Sequence, residues 1–174
     1  PMRLKASILL TQLVFFFSFQ AEADNLDTLP PHWQQQLEGV IQVDISPLKP
    51  AEQKAIEQAR AKVDALLLPV KTDKKQLAAE YGKLGNQYLT HDLFTSADAC
   101  YNNAIKLAPG HFPWAYYSAY LAQQDGNMQL ALPRFKLASK LDPEYLPARY
   151  RLAQVSLELN RLDEANALFS QLLN

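Results

Sequence analysis

The 174-residue chain is poor in cysteine, glycine and net charge. Cys100 is the only cysteine, so no intramolecular disulfide and no C-x-x-C metal or redox motif can form. Stabilisation therefore has to come from packing. Glycine occurs five times, and neither Ser96 nor Ser118 has the flanking glycines of a nucleophile elbow. Net charge is −1 and the pI is about 6.4, which argues against nucleic-acid binding, since that needs a basic stripe. The three histidines, His32, His91 and His111, lie apart without metal-ligand spacing. What the chain does have is 48% hydrophobic residues against 20% charged. That is enough for a packed core and too much for global disorder. The length suits one domain with room for an extra segment. Eleven prolines make their positions informative.

The first residues read as an address. Arg3 and Lys5 precede an apolar run, Ile8 to Phe19, broken only by Thr11, Gln12 and Ser18, and Ala21-Glu22-Ala23 follows. A positive start, a short apolar stretch and an A-x-A site make a secretory signal peptide over 1–23, with cleavage expected after Ala23. The run is short for a membrane span. An uncleaved membrane anchor is the alternative. Export would place the mature chain in the periplasm or outside the cell.

Residues 24–50 mix prolines with short apolar runs and read as mostly extended. One short helix is expected over His32–Leu37, opened by Pro31 and ended by Gly39. Residues 51–70 are clearer. Ile56, Ala59, Val63, Leu66 and Leu67 fall at helical spacing, with Glu52, Lys54, Glu57, Arg60, Lys62 and Asp64 largely elsewhere. Pro50 suits the start and Pro69 the stop of an amphipathic helix, which needs a surface to cover. "KTDKK" then reads as a solvated helix start with Asp73 as cap.

Beyond residue 73 the sequence repeats itself every 34 positions. Ala97, Ala131 and Ala165 align, as do Tyr101, Phe135 and Phe169, and Ala104, Ala138 and Leu172. Leu107 pairs with Leu141 and Pro109 with Pro143, and the turn formers Asp92, Gly126 and Asn160 share one phase. A fixed period of this size signals a solenoid. Small residues at Gly85, Ala97, Ala119, Ala131, Ala153 and Ala165 permit close helix approach. Rings at Tyr101, Phe135 and Phe169 fill the wider spaces. Cys100, beside Tyr101, reads as a small buried hydrophobe. Pro113 and Pro147 suit the first turns of two helices, whereas Pro133 falls inside one and is expected to remove a backbone bond there.

This pattern resembles the tetratricopeptide repeat (TPR), and with the leader it resembles an exported bacterial member. The first copy reads Tyr81, Leu84-Gly85, Tyr88, Ala97, Tyr101, Ala104, Pro109. The second, with Ala115 and Ala122 at the phases of Tyr81 and Tyr88, keeps Ala119, Gly126, Ala131, Phe135, Ala138 and Pro143. The third keeps Leu152, Ala153, Ala165 and Phe169. The implied fold is all-α, an α-solenoid of tandem antiparallel helix pairs preceded by the amphipathic helix. Three copies fill 73–174: 78–111, 112–145 and 146–174. The last stops before its proline, which reads as a chain cut from a longer protein or an end that docks on a partner or a second copy.

The resemblance implies a binding surface on the concave face, lined by the first helix of each pair. Projection at 3.6 residues per turn gives Asn86 from the first copy, Tyr116, Tyr120 and Gln123 from the second, and Tyr150, Gln154 and Leu157 from the third. Tyr117 and Arg151 lie at its edge. Tyrosines combine contact area with a hydroxyl and favour interfaces, though any one of them could instead pack on a neighbouring helix. A carboxylate clamp of Lys, Asn and Arg, known in the family, is not implied. Asn86 and Arg151 match two of its positions, but Gly82 and Pro147 stand where lysines belong. The sequence thus points to a non-catalytic module for a peptide or protein partner, without cofactor, metal or nucleic acid. Two alternatives stay open: the docking or sensing arm of a longer exported enzyme whose catalytic domain lies beyond residue 174, and self-association through the last helix.

Overall fold

The computed structural model describes residues 29–173, so the expected leader over 1–23 lies outside the described residues, as do 24–28 and Asn174. Seven helices are present among the described residues: α1 (Pro50–Leu67), α2 (Lys74–Thr90), α3 (Phe94–Leu107), α4 (Phe112–Gln124), α5 (Met128–Leu141), α6 (Leu146–Glu158) and α7 (Leu162–Leu172). No strand occurs across 78–173. Helices adjacent in sequence pack on one another, α2 on α3, α4 on α5 and α6 on α7, with α1, α3 and α5 bridging to the next helix in line. The protein is an α-solenoid, in which each hairpin covers the apolar face that its neighbour cannot bury alone.

The turns within the hairpins show how the repeat is encoded. Asp92, Gly126 and Asn160 all have positive φ, at 58°, 74° and 57°. Each is the left-handed residue just past a helix. The N–H of the following residue reaches back five positions, Leu93 to Tyr88, Asn127 to Ala122 and Arg161 to Ser156, at 3.0, 2.9 and 2.8 Å. That bond closes a Schellman-type cap and satisfies a terminal carbonyl. Glycine takes this conformation freely, and aspartate and asparagine tolerate it through local side-chain hydrogen bonding.

Helix starts follow ordinary capping chemistry. Asp73 accepts from the Lys75 N–H at 2.9 Å, and Asn127 accepts from the Leu130 N–H at 3.1 Å. Pro50, Pro113 and Pro147 occupy the first turns of α1, α4 and α6. Pro133 lies inside α5, which continues through it. Its ring is exposed, so the Gln129 carbonyl that loses a partner there is on the solvent side.

Gly85, Ala97, Ala119, Ala131, Ala153 and Ala165 are all buried, and the rings of Tyr101 and Phe135 are fully enclosed. Phe169 is half-buried. Cys100 is buried beside Tyr101. Ile56, Val63 and Leu67 of α1 join Leu77, Tyr81, Leu84 and Tyr88 of α2 in one apolar cluster, so the amphipathic helix covers the first hairpin. Arg60 adds a hydrogen bond to the Tyr88 hydroxyl.

Two features differ from the sequence expectation or escape it. Residues 31–36 form consecutive turns in place of the helix expected over His32–Leu37. The N–H groups of Gln36 and Leu37 both bond the Trp33 carbonyl, and the segment then extends. It folds this way because its bonds go elsewhere. Leu29, Trp33, Leu37 and Val40 are buried in the first core cluster, and the Trp33 indole donates to the Leu67 carbonyl at 3.2 Å. The second feature is a clamp from α3. The buried Asn103 amide accepts the Glu38 N–H at 2.7 Å and donates to the Glu38 carbonyl at 2.8 Å. Ser96 donates to the Ile41 carbonyl at 3.0 Å. One asparagine thereby replaces the two bonds a neighbouring strand would supply, strapping 29–48 to the first hairpin.

Candidate interaction face

Helices α2, α4 and α6 carry the residues that sequence projection assigned to binding. The structure draws several of them into one network centred on Arg151. Its Nε donates to the Tyr116 hydroxyl at 3.2 Å, and its Nη1 donates to Gln123 Oε1 at 3.0 Å. Its guanidinium carbon sits 4.8 Å above the Tyr120 ring. A planar cation is suited to this, stacking on one aromatic face while donating in its own plane. Arg151 is therefore a link between α4 and α6 and lies well inside the cluster, although projection put it at the edge.

Tyr116 is half-buried among rings. Its centroid is 5.8 Å from Phe112, 5.6 Å from Tyr117, 6.1 Å from Phe135 and 5.2 Å from Tyr145. Burial and the neighbouring Tyr116 and Tyr117 hydroxyls raise the Tyr145 pKa. Tyr117 is 37% exposed and stacks on Tyr101 at 5.8 Å. The Tyr101 hydroxyl in turn donates to Asn86 Oδ1 at 2.7 Å, so Asn86, although exposed, is held from below. Desolvation pushes the Tyr101 pKa well above the usual tyrosine range, which keeps that hydroxyl a donor.

Tyr150 and Gln154 form a separate pair on α6. Tyr150 is 50% exposed, its ring is 6.0 Å from Phe169, and its hydroxyl accepts from Gln154 Nε2 at 3.4 Å. Leu157, one turn on, is 51% exposed. The face thus has two zones: a supported cluster around Arg151, and an open patch of Tyr150, Gln154 and Leu157.

Three rings of this region escaped the projection. Phe112 begins α4, Tyr145 lies before α6, and neither is on the interior of a first helix. Trp114 of α4 is buried, stacks on His111 at 3.8 Å, and lies directly over Gly82 of α2. A legible signal did exist. Gly82 occupies the repeat phase of Tyr116 and Tyr150, and a glycine where other copies carry a ring implies that a neighbour fills the space.

Behind this face, Arg134 of α5 donates to Asp98 of α3 at 2.6 Å and to the Ser118 carbonyl of α4 at 3.0 Å. The buried Ser118 hydroxyl bonds Asp98 as well, so three successive helices are tied by one polar network. Among the described residues no cluster of three His, Cys, Asp or Glu side chains is placed to hold a metal ion. No helix among them is long and apolar enough to cross a membrane.

Hairpins of two helices, stacked in line with a 34-residue period, define the class of α-solenoid repeat proteins. Residues 122–174 match the family model described as tetratricopeptide repeat. Among solved structures, that of MamA has a TM-score of 0.60 at 19% identity, covering 71% of this chain and 68% of MamA. The structure of YrrB, described as a TPR protein with an unusual peptide-binding site, has a TM-score of 0.59 at 21% identity, covering 70% and 61%. The first TPR of Spaghetti (RPAP3), solved with an HSP90 peptide, has a TM-score of 0.52 at 22% identity, covering 57% and 79%. At these identities the likeness is one of fold. No curated protein sequence matches the chain.

Proposed function

We propose that this chain is a non-catalytic protein–protein interaction module, acting in the periplasm, that receives an extended peptide or the edge of a partner protein on the face shared by α2, α4 and α6. One observation carries the reading: tyrosine and leucine side chains stand 37–51% exposed at Tyr117, Tyr150 and Leu157, on the same helices as the hydrogen-bonded Arg151–Tyr116–Gln123 network. Aromatic anchors already held by their neighbours lose little side-chain entropy on binding. Two of the structural neighbours, YrrB and RPAP3, are described with peptide sites, which supports the same use of the fold. Export rests on the Arg3–Ala23 leader pattern.

Site-specific cross-linking tests the assignment. A photo-reactive phenylalanine analogue at Tyr150 is expected to capture the partner, and one at the exposed Gln129 of α5 is not. Tyr150→Ala with Leu157→Ala is expected to abolish capture at a site on α4 while leaving thermal unfolding nearly unchanged, because both side chains are half exposed. Capture undiminished in that double variant would place the partner on another face. N-terminal sequencing of the exported protein is expected to begin at Asp24.

A further inference from the structure

A second opening lies beside this face, where the start of α2 meets the turn between α3 and α4. It is a cavity of about 540 Å³ bounded by Lys75, Ala79, Leu107, Pro109, His111 and Trp114. That volume lies within the roughly 300–1,000 Å³ typical of ligand pockets. Its walls are apolar, and its broadest wall is the Trp114 indole, fixed from one side by the His111 imidazole and from another by the Gly82 backbone. A rigid aromatic wall suits an apolar side chain.

The charge at the opening is one-sided. No carboxylate lines the cavity, and Lys75 stands exposed at its rim. Neighbouring lysines of α2 are engaged: Lys74 donates to Gln36 and faces the Trp33 ring, and Lys83 pairs with Glu80 at 2.6 Å. Among the described residues the Lys75 ammonium makes no ion pair or hydrogen bond.

The cavity also has a register with the interaction face. Ala79 and Asn86 are seven residues apart on α2, about 10 Å along the helix. On α4, Trp114 and Tyr117 are separated by three residues. An extended peptide covers about 10 Å in three residues.

We propose that this cavity anchors one large apolar side chain of an acidic peptide. The extended chain runs on from it toward Asn86 and Tyr117, and a carboxylate flanking the anchor meets Lys75. The inference deepens the interaction-face reading and rests on it.

The test is an NMR titration of ¹⁵N-labelled full chain with three eight-residue synthetic peptides. The first has a central Leu-Phe pair flanked by aspartates, the second has lysines for the aspartates, and the third has Ser-Ser for Leu-Phe. Only the first is expected to shift the Gly110 amide and the Trp114 indole signal. Lys75→Glu is expected to weaken that binding at least about tenfold while Lys75→Arg retains it, as charge complementarity requires. Lys75 is exposed, so neither variant threatens folding. Equal binding of the lysine peptide, or no shift with any peptide, overturns the proposal. Shifts confined to Tyr116, Tyr150 and Gln154, and indifferent to Lys75→Glu, overturn the anchor while leaving the interaction face standing. If no peptide binds, cross-linking at Tyr150 decides the fate of that face independently.

Discussion

Gly82→Ala is the substitution for which the structure sets two opposed effects against each other. Removing a glycine from a helix interior gains about 1 kcal/mol in helix propensity. At Gly82, however, the added Cβ would lie 2.1 Å from Trp114 Nε1 and 2.6 Å from its Cε2. Ordinary carbon contacts are about 3.5–4.0 Å, so the indole has to retreat by more than 1 Å. It is 8% exposed and stacked on His111, so it has little room to do so. Overpacking of this kind costs about 1–3 kcal/mol. Because the overlap involves a rigid ring, the cost falls toward the upper end and wins, leaving a net loss of about 1–2 kcal/mol. For a chain of this size that lowers Tm by about 2–8 °C. Gly110→Ala is the matched control: nothing lies within 4 Å of its added Cβ, and reduced unfolded-state entropy predicts a gain of about 0.4–1 kcal/mol. Differential scanning calorimetry measures both. Tryptophan fluorescence in a Trp33→Phe background reports whether Trp114 has moved. If Gly82→Ala stabilises as much as Gly110→Ala, with Trp114 emission unchanged, the indole does not lie over α2 and the cavity beside it has a different shape.

Other expected outcomes test the remaining structure. Asn103→Ala leaves the Glu38 N–H and carbonyl without their partner; chemical denaturation is expected to show a loss of about 2–3 kcal/mol, with faster hydrogen exchange at the Glu38 amide. Ala131→Leu forces a larger side chain into a site with no exposure and should cost about 1–3 kcal/mol in thermal unfolding; a neutral result would mean that the repeat register is misassigned. The Tyr101 pKa is raised by burial, so above about pH 10 the unfolded chain loses this proton while the folded chain keeps it. The contribution of this group is therefore complete below about pH 10 and declines as pH rises further. Denaturation across pH 9–11 checks this, and Tyr101→Phe is expected to reduce the slope.

Much of the fold was legible because a solenoid writes its packing as a period. Ala97, Ala131 and Ala165 recur at a spacing of 34, and all three are buried. Asp92, Gly126 and Asn160 share a phase, and all three have positive φ. These contacts are local and repeated, so spacing alone reveals them. The candidate face was legible only as a set of positions. Projection named Asn86, Tyr116, Tyr117, Tyr120, Gln123, Tyr150, Arg151 and Gln154. It could not distinguish the tightly linked Arg151 cluster from the open Tyr150 patch, because that depends on how far one hairpin rotates against the next.

By itself, the sequence determined the helical hairpins, their turns, the small and large sites between them, and the amphipathic helix that covers the first pair. Only the tertiary structure decided where the aperiodic contacts fall. Asn103 bonds a backbone 65 positions away. Trp114 crosses onto a glycine in the preceding hairpin, and Arg151 reaches back to Gln123 and Tyr116. The physical reason is that a repeat fixes the geometry between equivalent residues, whereas these contacts join inequivalent ones, and their partners become neighbours only once the hairpins have stacked.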